Sequence, residues 1–219
     1  MCGESWYNKE KTWRALRKAR EAQNREEIMI YTFLADGFEE IEALCPIDML
    51  RRAGLEETTI AVHPDPQHGD RLVTGSHGIG VMADRSYTEM AAQPVPDDLE
   101  MVILPGGMPG AKHLDGSALV ERYLQAADRK GAFMAAICAA PMVLGKRGYL
   151  NGKKAVCYPG FEEYLTGAEV CDTAVAVDGN VVTGCGMGAA MAFGGTLIRL
   201  MKGAEKEEAI LSAILADRV

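Results

Sequence analysis

The chain has 219 residues, 48% hydrophobic and 25% charged, with 24 glycines and 9 prolines, a composition that excludes a disordered or fibrous chain and suits one globular domain. Net charge is −8, and the one basic cluster, Lys9 to Arg25, has no groove-reading motif around it, so no nucleic-acid partner is expected. No apolar run reaches the ~18 residues of a membrane span, and charges stand where a signal peptide has its apolar stretch; no membrane partner is expected, and the expected location is the cytoplasm.

Residues 1–28 carry seven basic and five acidic groups. Thr12 to Glu27 reads as a polar helix with too few apolar positions to sit on a core. Back-translation of Arg25-Glu26-Glu27 with purine-rich codons gives a run resembling a bacterial ribosome-binding site just before Met29. The expectation is that residues 1–28 are an extension ahead of a true start at Met29, with a polar N-terminal arm as the alternative, and that residues 29–219 form a single domain.

Ile28 to Leu34 is a continuous apolar run closed by Asp36-Gly37, as in a strand buried on both faces. A helix is predicted over about 38–53, because Glu39 and Glu40 in its first turn and Arg51-Arg52 in its last complement the dipole and Gly54 ends it. Thr58 to Val62 is the next strand. The stretch 64–98, rich in Pro, Gly and Asp, is expected to form a small antiparallel excursion. Met101 to Leu104 resumes the buried-strand pattern, followed by Pro105-Gly106-Gly107, a helix near 116–130 and a strand from Ala132 to Ile137. Ala174 to Val177 and Val181 to Thr183 flank the turn Asp178-Gly179-Asn180, and helices near 187–202 and 204–216 follow. Alternating strands and helices require crossovers, and hence a mainly parallel sheet covered on both faces. The predicted fold is a flavodoxin-like α/β three-layer sandwich.

The six cysteines, Cys2, Cys45, Cys138, Cys157, Cys171 and Cys185, form no C-x-x-C pair and have no histidine at metal-ligand spacing, so no metal is expected. Five of them read as small packing residues. Cys138 differs, because it ends a buried strand and Pro141 suits the first turn of a following helix. This is a nucleophile elbow, in which helix N–H groups and the dipole are expected to bring the thiol pKa below the ~8.5 of free cysteine. Glu42 falls on the same helical face as Phe38, Cys45 and Met49. A carboxyl there is either skirting the edge in water or buried with a raised pKa, able to exchange a proton with a thiol or substrate. Gly106 and Gly107 let backbone N–H groups approach a ligand, and with the Ala139 N–H they form a candidate oxyanion hole. Pro-Gly-Gly equally makes a tight turn.

Two other chemistries are rejected. All four histidines, His63, His68, His77 and His113, precede Cys138, whereas the glutamine amidotransferases of this architecture place theirs after the cysteine. Gly184-Cys-Gly186-Met-Gly188-Ala189 matches a dinucleotide fingerprint, yet no second strand with a ribose-binding acid follows. No nicotinamide, flavin or other cofactor is expected.

Ala35 to Glu42, Ile47 to Gly54, Leu104 to Gly107 and Ala135 to Pro141 together closely resemble the ThiJ/PfpI superfamily, in the branch of the parkinsonism-associated deglycase. The resemblance runs from about Met29 to Leu215. It implies Cys138 as nucleophile, Glu42 as its protonated partner, and the Gly107 and Ala139 amides as anion-stabilising donors. It implies a homodimer and cofactor-free chemistry on small dicarbonyls or glycated proteins. Similar proteins are described as glyoxalase III enzymes, deglycases, peroxide-responsive stress proteins and thiazole monophosphate biosynthesis proteins. The chain departs from the branch at Tyr158, where a histidine usually stands before the proline, and at His77 and Cys185, where arginines usually stand. His77, Tyr158 and Arg52 are therefore candidate accessory residues.

Overall fold

The computed structural model describes residues 29–63 and 71–218; the expectations about residues 1–28 and His68 lie outside them. In chain order the elements are β1 (Met29–Ala35), α1 (Glu40–Arg52), β2 (Glu56–Val62), β3 (Leu72–Thr74), β4 (Gly80–Met82), α2 (Tyr87–Ala91) and β5 (Leu99–Leu104). Next come α3 (Gly110–Asp115), α4 (Ala118–Lys130), β6 (Phe133–Ile137), α5 (Pro141–Gly145), β7 (Lys154–Ala155) and β8 (Glu169–Val170). Strands β9 (Val175–Asp178) and β10 (Val181–Gly184) precede α6 (Ala190–Lys202) and α7 (Ala204–Ala213).

Six strands form the central sheet in the order β2-β1-β5-β6-β10-β9. All pair in parallel except β9, which returns antiparallel to β10 through the Asp178–Val181 turn. This is the flavodoxin-like sandwich expected from the alternation of elements. Successive strand residues point to opposite faces. Tyr31, Phe33, Val102 and Leu104 meet Leu119, Val120, Tyr123 and Leu124 of α4 on one face. Ile30, Met101, Ile103 and Ala135 meet Met49 and Leu50 of α1 and Phe193 and Leu197 of α6 on the other. The Tyr123 ring stands edge-on to Tyr31 and Phe33 at 5.2 and 5.1 Å between centroids, contacts worth about 0.5–1.5 kcal/mol each beyond their buried area.

The β2 edge of the sheet is occupied along its backbone, and β7 packs beside the β9 edge. Along β2, the Ala61 N–H donates to the Arg85 carbonyl and the Arg85 N–H to the Thr59 carbonyl, while the Thr59 N–H donates to the Asp84 carboxylate at 2.9 Å. At the other edge the Asp178 carboxylate of β9 accepts the Lys154 N–H of β7 at 3.0 Å. Among the described residues no helix is long and apolar enough to cross a membrane.

The antiparallel excursion is the β3–β4 hairpin. Two short helices were not predicted. Helix α2 is five residues nucleated by a capping box between Ser86 and Glu89, and α3 follows Pro105-Gly106-Gly107-Met108-Pro109, a stretch whose composition reads as loop. The helix after Cys138 is only Pro141–Gly145, too short to carry much of a dipole.

Arg147 ties three of these helices together. Its guanidinium donates to the Asp115 carboxylate at 2.7 Å, the Asp115 carbonyl at 2.7 Å and the Val143 carbonyl at 2.8 Å, and pairs with Glu121. Arg147→Met should cost about 1–3 kcal/mol, because partly buried acceptors lose charged donors. Urea unfolding should show a lower midpoint with an unchanged slope; an unchanged midpoint would mean that the network contributes nothing net.

Candidate active site

The chain leaves β1 for β2 on one side and returns to β5 on the other. At such a reversal the loops beyond the strand ends part and leave a crevice. Four loops meet here, from the carboxyl ends of β1, β5, β6 and β10. The Glu39 N–H donates to the Gly106 carbonyl at 2.9 Å, the Cys138 N–H to Gly184 at 2.9 Å, and the Tyr158 N–H to Cys138 at 2.8 Å.

Cys138 has φ 64°, a left-handed conformation uncommon for a side-chain-bearing residue and typical of strained functional turns. The partly buried thiol hydrogen-bonds with Glu42, and the Gly107 and Ala139 amides face its sulfur. Glu42 is buried to 1% exposure. Its Oε2 accepts the Gly106 N–H at 3.1 Å, and its carboxyl also takes the Met187 amide. Of the two sequence readings for Glu42, the buried one holds.

Two glycines make this contact possible. A Cβ at Gly106 would lie 2.5 Å from Glu42 Oε2 and 2.6 Å from Cys138 Cβ, so any side chain would separate the pair. Gly107, at φ 86°, passes so close to the β1–α1 loop that a Cβ would lie 2.3 Å from the Glu39 nitrogen. Its N–H is thereby aimed at the sulfur.

The electrostatics correct the expectation of an acidic thiol. Burial, then the neighbouring Glu42, push Cys138 up to about 12, against the pull of the Gly107 and Ala139 amides. Burial also lifts Glu42 to about 7, with Glu39 adding to the rise and the hydrogen bonds from Cys138, Gly106 and Met187 opposing it. The short α5 dipole loses to desolvation. Near neutrality the thiol therefore keeps its proton and Glu42 is the member of the pair that titrates, in place of a free-standing thiolate.

The accessory candidates divide. Tyr158 lies at the mouth, half exposed; a Cβ at Gly186 would fall 3.2 Å from its ring and 3.9 Å from Glu42 Oε1. His77 belongs to a different cluster. Its ring Nδ1 lies 2.7 Å from Glu40 Oε2 and its N–H donates to Glu40 Oε1 at 2.7 Å. This pairing raises the His77 pKa and, against the rise that burial would bring, holds Glu40 down to about 2. His77 is thus bound to Glu40 rather than standing as a free base beside Cys138. Arg52 is displaced further, since it pairs with Asp48 at 2.6 Å in the last turn of α1, about 18 Å along the helix from Glu40. Within one chain it is not an accessory residue.

Glu39, Glu40 and His77 place donor atoms within 4.8 Å of one another. Both carboxylates are engaged, Glu39 with the Glu42 N–H at 2.7 Å and Glu40 with His77. The Met187 amide was missed by sequence reasoning. Its only signal was the Gly184–Ala189 glycine motif, whose backbone faces a carboxyl.

The DJ-1/PfpI family model matches residues 28–200. Protein dj-1beta of Drosophila melanogaster is 34% identical over 184 residues, 83% of this chain and 94% of the relative. The glutathione-independent glyoxalase DJ-1 of Schizosaccharomyces pombe is 28% identical over 85% of this chain and 98% of its own length. A deglycase of Pyrococcus abyssi is 30% identical over 77% of this chain and 96% of its own length. Among solved structures, oxidised Toxoplasma gondii DJ-1 superposes with a TM-score of 0.78 at 32% identity, covering 86% of this chain and 98% of that one. The chain, by sequence and by fold, belongs to the DJ-1/PfpI family.

Proposed function

We propose that this protein is a cysteine-dependent enzyme acting on small dicarbonyls, or on their adducts with proteins, in the manner of the glyoxalase-named and deglycase-named relatives. The observation that carries this reading is the buried Cys138–Glu42 pair beneath two backbone amides. The sulfur attacks the aldehyde carbon and its proton passes to Glu42. The resulting oxyanion is held by the Gly107 and Ala139 N–H groups. For methylglyoxal, Glu42 hands that proton to the oxyanion, takes the proton of the hemithioacetal carbon and delivers it to the neighbouring carbonyl oxygen. The enediol so formed passes one hydroxyl proton, through Glu42, to the neighbouring carbon and becomes the lactoyl thioester. Water hydrolyses the thioester to lactate and returns the thiol proton, so methylglyoxal and water are consumed in equal amounts.

The one-proton state of the pair is the active form in this scheme. Lactate formation should rise with pH through about 7 as Glu42 loses its proton and becomes able to accept that of the thiol. Cys138→Ser should leave only the buffer-catalysed rate, and Glu42→Gln should cost about 10²–10⁴-fold and remove the pH limb. Equal lactate formation by wild type and Cys138→Ser overturns the reading.

We assign a second copy of the chain to the apolar rim beside the site. Ile41, Met187 and Met191 are about half exposed there, next to the residues that bind Glu42, and the homodimer implied by the family resemblance of the sequence is the occupant that fits this rim. Ile41→Glu should shift the sedimentation coefficient from that of a dimer toward that of a monomer.

A second reading is favoured by the oxidised state of the Toxoplasma relative. In this reading two equivalents of peroxide convert Cys138 of this chain to a sulfinate held by Glu42 and the same amides, and the protein serves as a stress sensor. Intact mass after mild peroxide should gain two oxygens in wild type and none in Cys138→Ser; an unmodified wild type removes this reading.

A further inference from the structure

The Gly107 amide, one of the two that act on the Cys138 sulfur, takes its direction from the loop beneath it. Gly107 has φ 86° and is pressed so close to the β1–α1 loop that a Cβ would lie 2.3 Å from the Glu39 nitrogen and 2.6 Å from the Gly37 oxygen. A shift of that loop therefore moves the amide. On one side the β3–β4 hairpin holds the loop by backbone bonds, the Gly37 N–H donating to the Thr74 carbonyl at 2.8 Å and the Ser76 N–H to the Phe38 carbonyl at 2.7 Å. On the other side stands α3. Its Ala111 N–H donates to the Gly107 carbonyl at 2.9 Å and its Gly110 N–H to the Gly37 carbonyl at 3.3 Å. A side chain completes the clamp, because His113 Nδ1 lies 3.0 Å from the Asp36 carbonyl oxygen. A carbonyl only accepts, so the ring carries a proton on Nδ1. One short helix thus grips Gly107 through its backbone and Asp36 through an imidazole. None of these bonds involves the rim residues Ile41, Met187 and Met191.

We infer that His113 is a positioning residue, whose Nδ1–H on the Asp36 carbonyl locks the β1–α1 loop to α3 and so aims the Gly107 N–H at the reacting centre. An amide aimed at a developing oxyanion acts in the transition state rather than on bound substrate, so loss of the lock lowers kcat and spares KM. Removing such a donor outright costs about 10²–10³-fold, and a donor still present but misdirected should cost about tenfold. The meaning of the lock in turnover rests on the function proposed above. Its effect on the sulfur does not, because the same amide favours the thiolate whether or not substrate is converted.

Two polar replacements of the same ring test the inference. In His113→Asn the side-chain amide nitrogen falls near the place of Nδ1, whereas in His113→Gln it falls near that of Nε2 and cannot reach the Asp36 carbonyl. Each variant is assayed for kcat and KM with methylglyoxal and for the rate of Cys138 alkylation by iodoacetamide, counted on the Cys138 peptide by mass spectrometry. His113→Asn should stay within about twofold of wild type in all three. His113→Gln should lose about tenfold in kcat with KM little changed, and its Cys138 should alkylate about threefold more slowly. A merely structural role gives the opposite sign, because loosening opens buried thiols and speeds the labelling of Cys138 and of the buried Cys157. Faster labelling of Cys138 in His113→Gln, a His113→Gln variant indistinguishable from wild type, or a His113→Asn variant as impaired as His113→Gln overturns the inference. If labelling slows in His113→Gln and not in His113→Asn while wild type makes no lactate, the positioning role stands and the enzymatic reading falls.

Discussion

Burial of the Glu42 carboxyl beside the Cys138 sulfur is the constraint on which the rest of the site depends. A carboxyl with 1% of its surface exposed needs partners for its oxygens. The chain supplies them from separate elements: the Gly106 amide beyond β5, the Met187 amide beyond β10 and the thiol beyond β6. Each donor is in place only when its loop is in place. Four strand-end loops are therefore organised around one proton, and the order of strands matters because it brings those ends together.

The cost of the arrangement is visible in the backbone and in the proton affinities. Cys138 adopts φ 64°, and both members of the pair bind protons more tightly than they would in water. Residues held against their local preference persist because the surroundings over-determine them. Here the Gly184 carbonyl and the Tyr158 N–H grip the Cys138 peptide from both sides.

Much of the fold was legible because buried parallel strands are continuous apolar runs, and those of β1, β5 and β6 are bounded by glycine, proline or aspartate. Cys138 was legible as a strand-end residue three positions before a proline, and Glu42 as a carboxyl on an apolar helix face. The length of α5 was not. Pro141 announces a helix start but not that the helix ends at Gly145, and on that length rested the expectation of an acidic thiol. Helix α3 was hidden by the Pro and Gly residues before it, and α2 by its brevity. The partners of His77 and Arg52 were hidden for another reason. Proximity in a motif does not say which way a side chain turns, and here Glu40 and Asp48, on the same helix, take the two cations.

The occupied β2 edge bears on how copies of this protein can meet. An open edge strand offers a row of unpaired N–H and C=O groups, the template on which chains stack into aggregates. On β2 that row is shared with Arg85 and the Asp84 carboxylate. With that flank blunted, growth of the sheet from the β2 edge of one molecule into the next is discouraged even at high concentration. Contact between copies through helix and loop surfaces can instead close on itself as a finite particle rather than extending without limit.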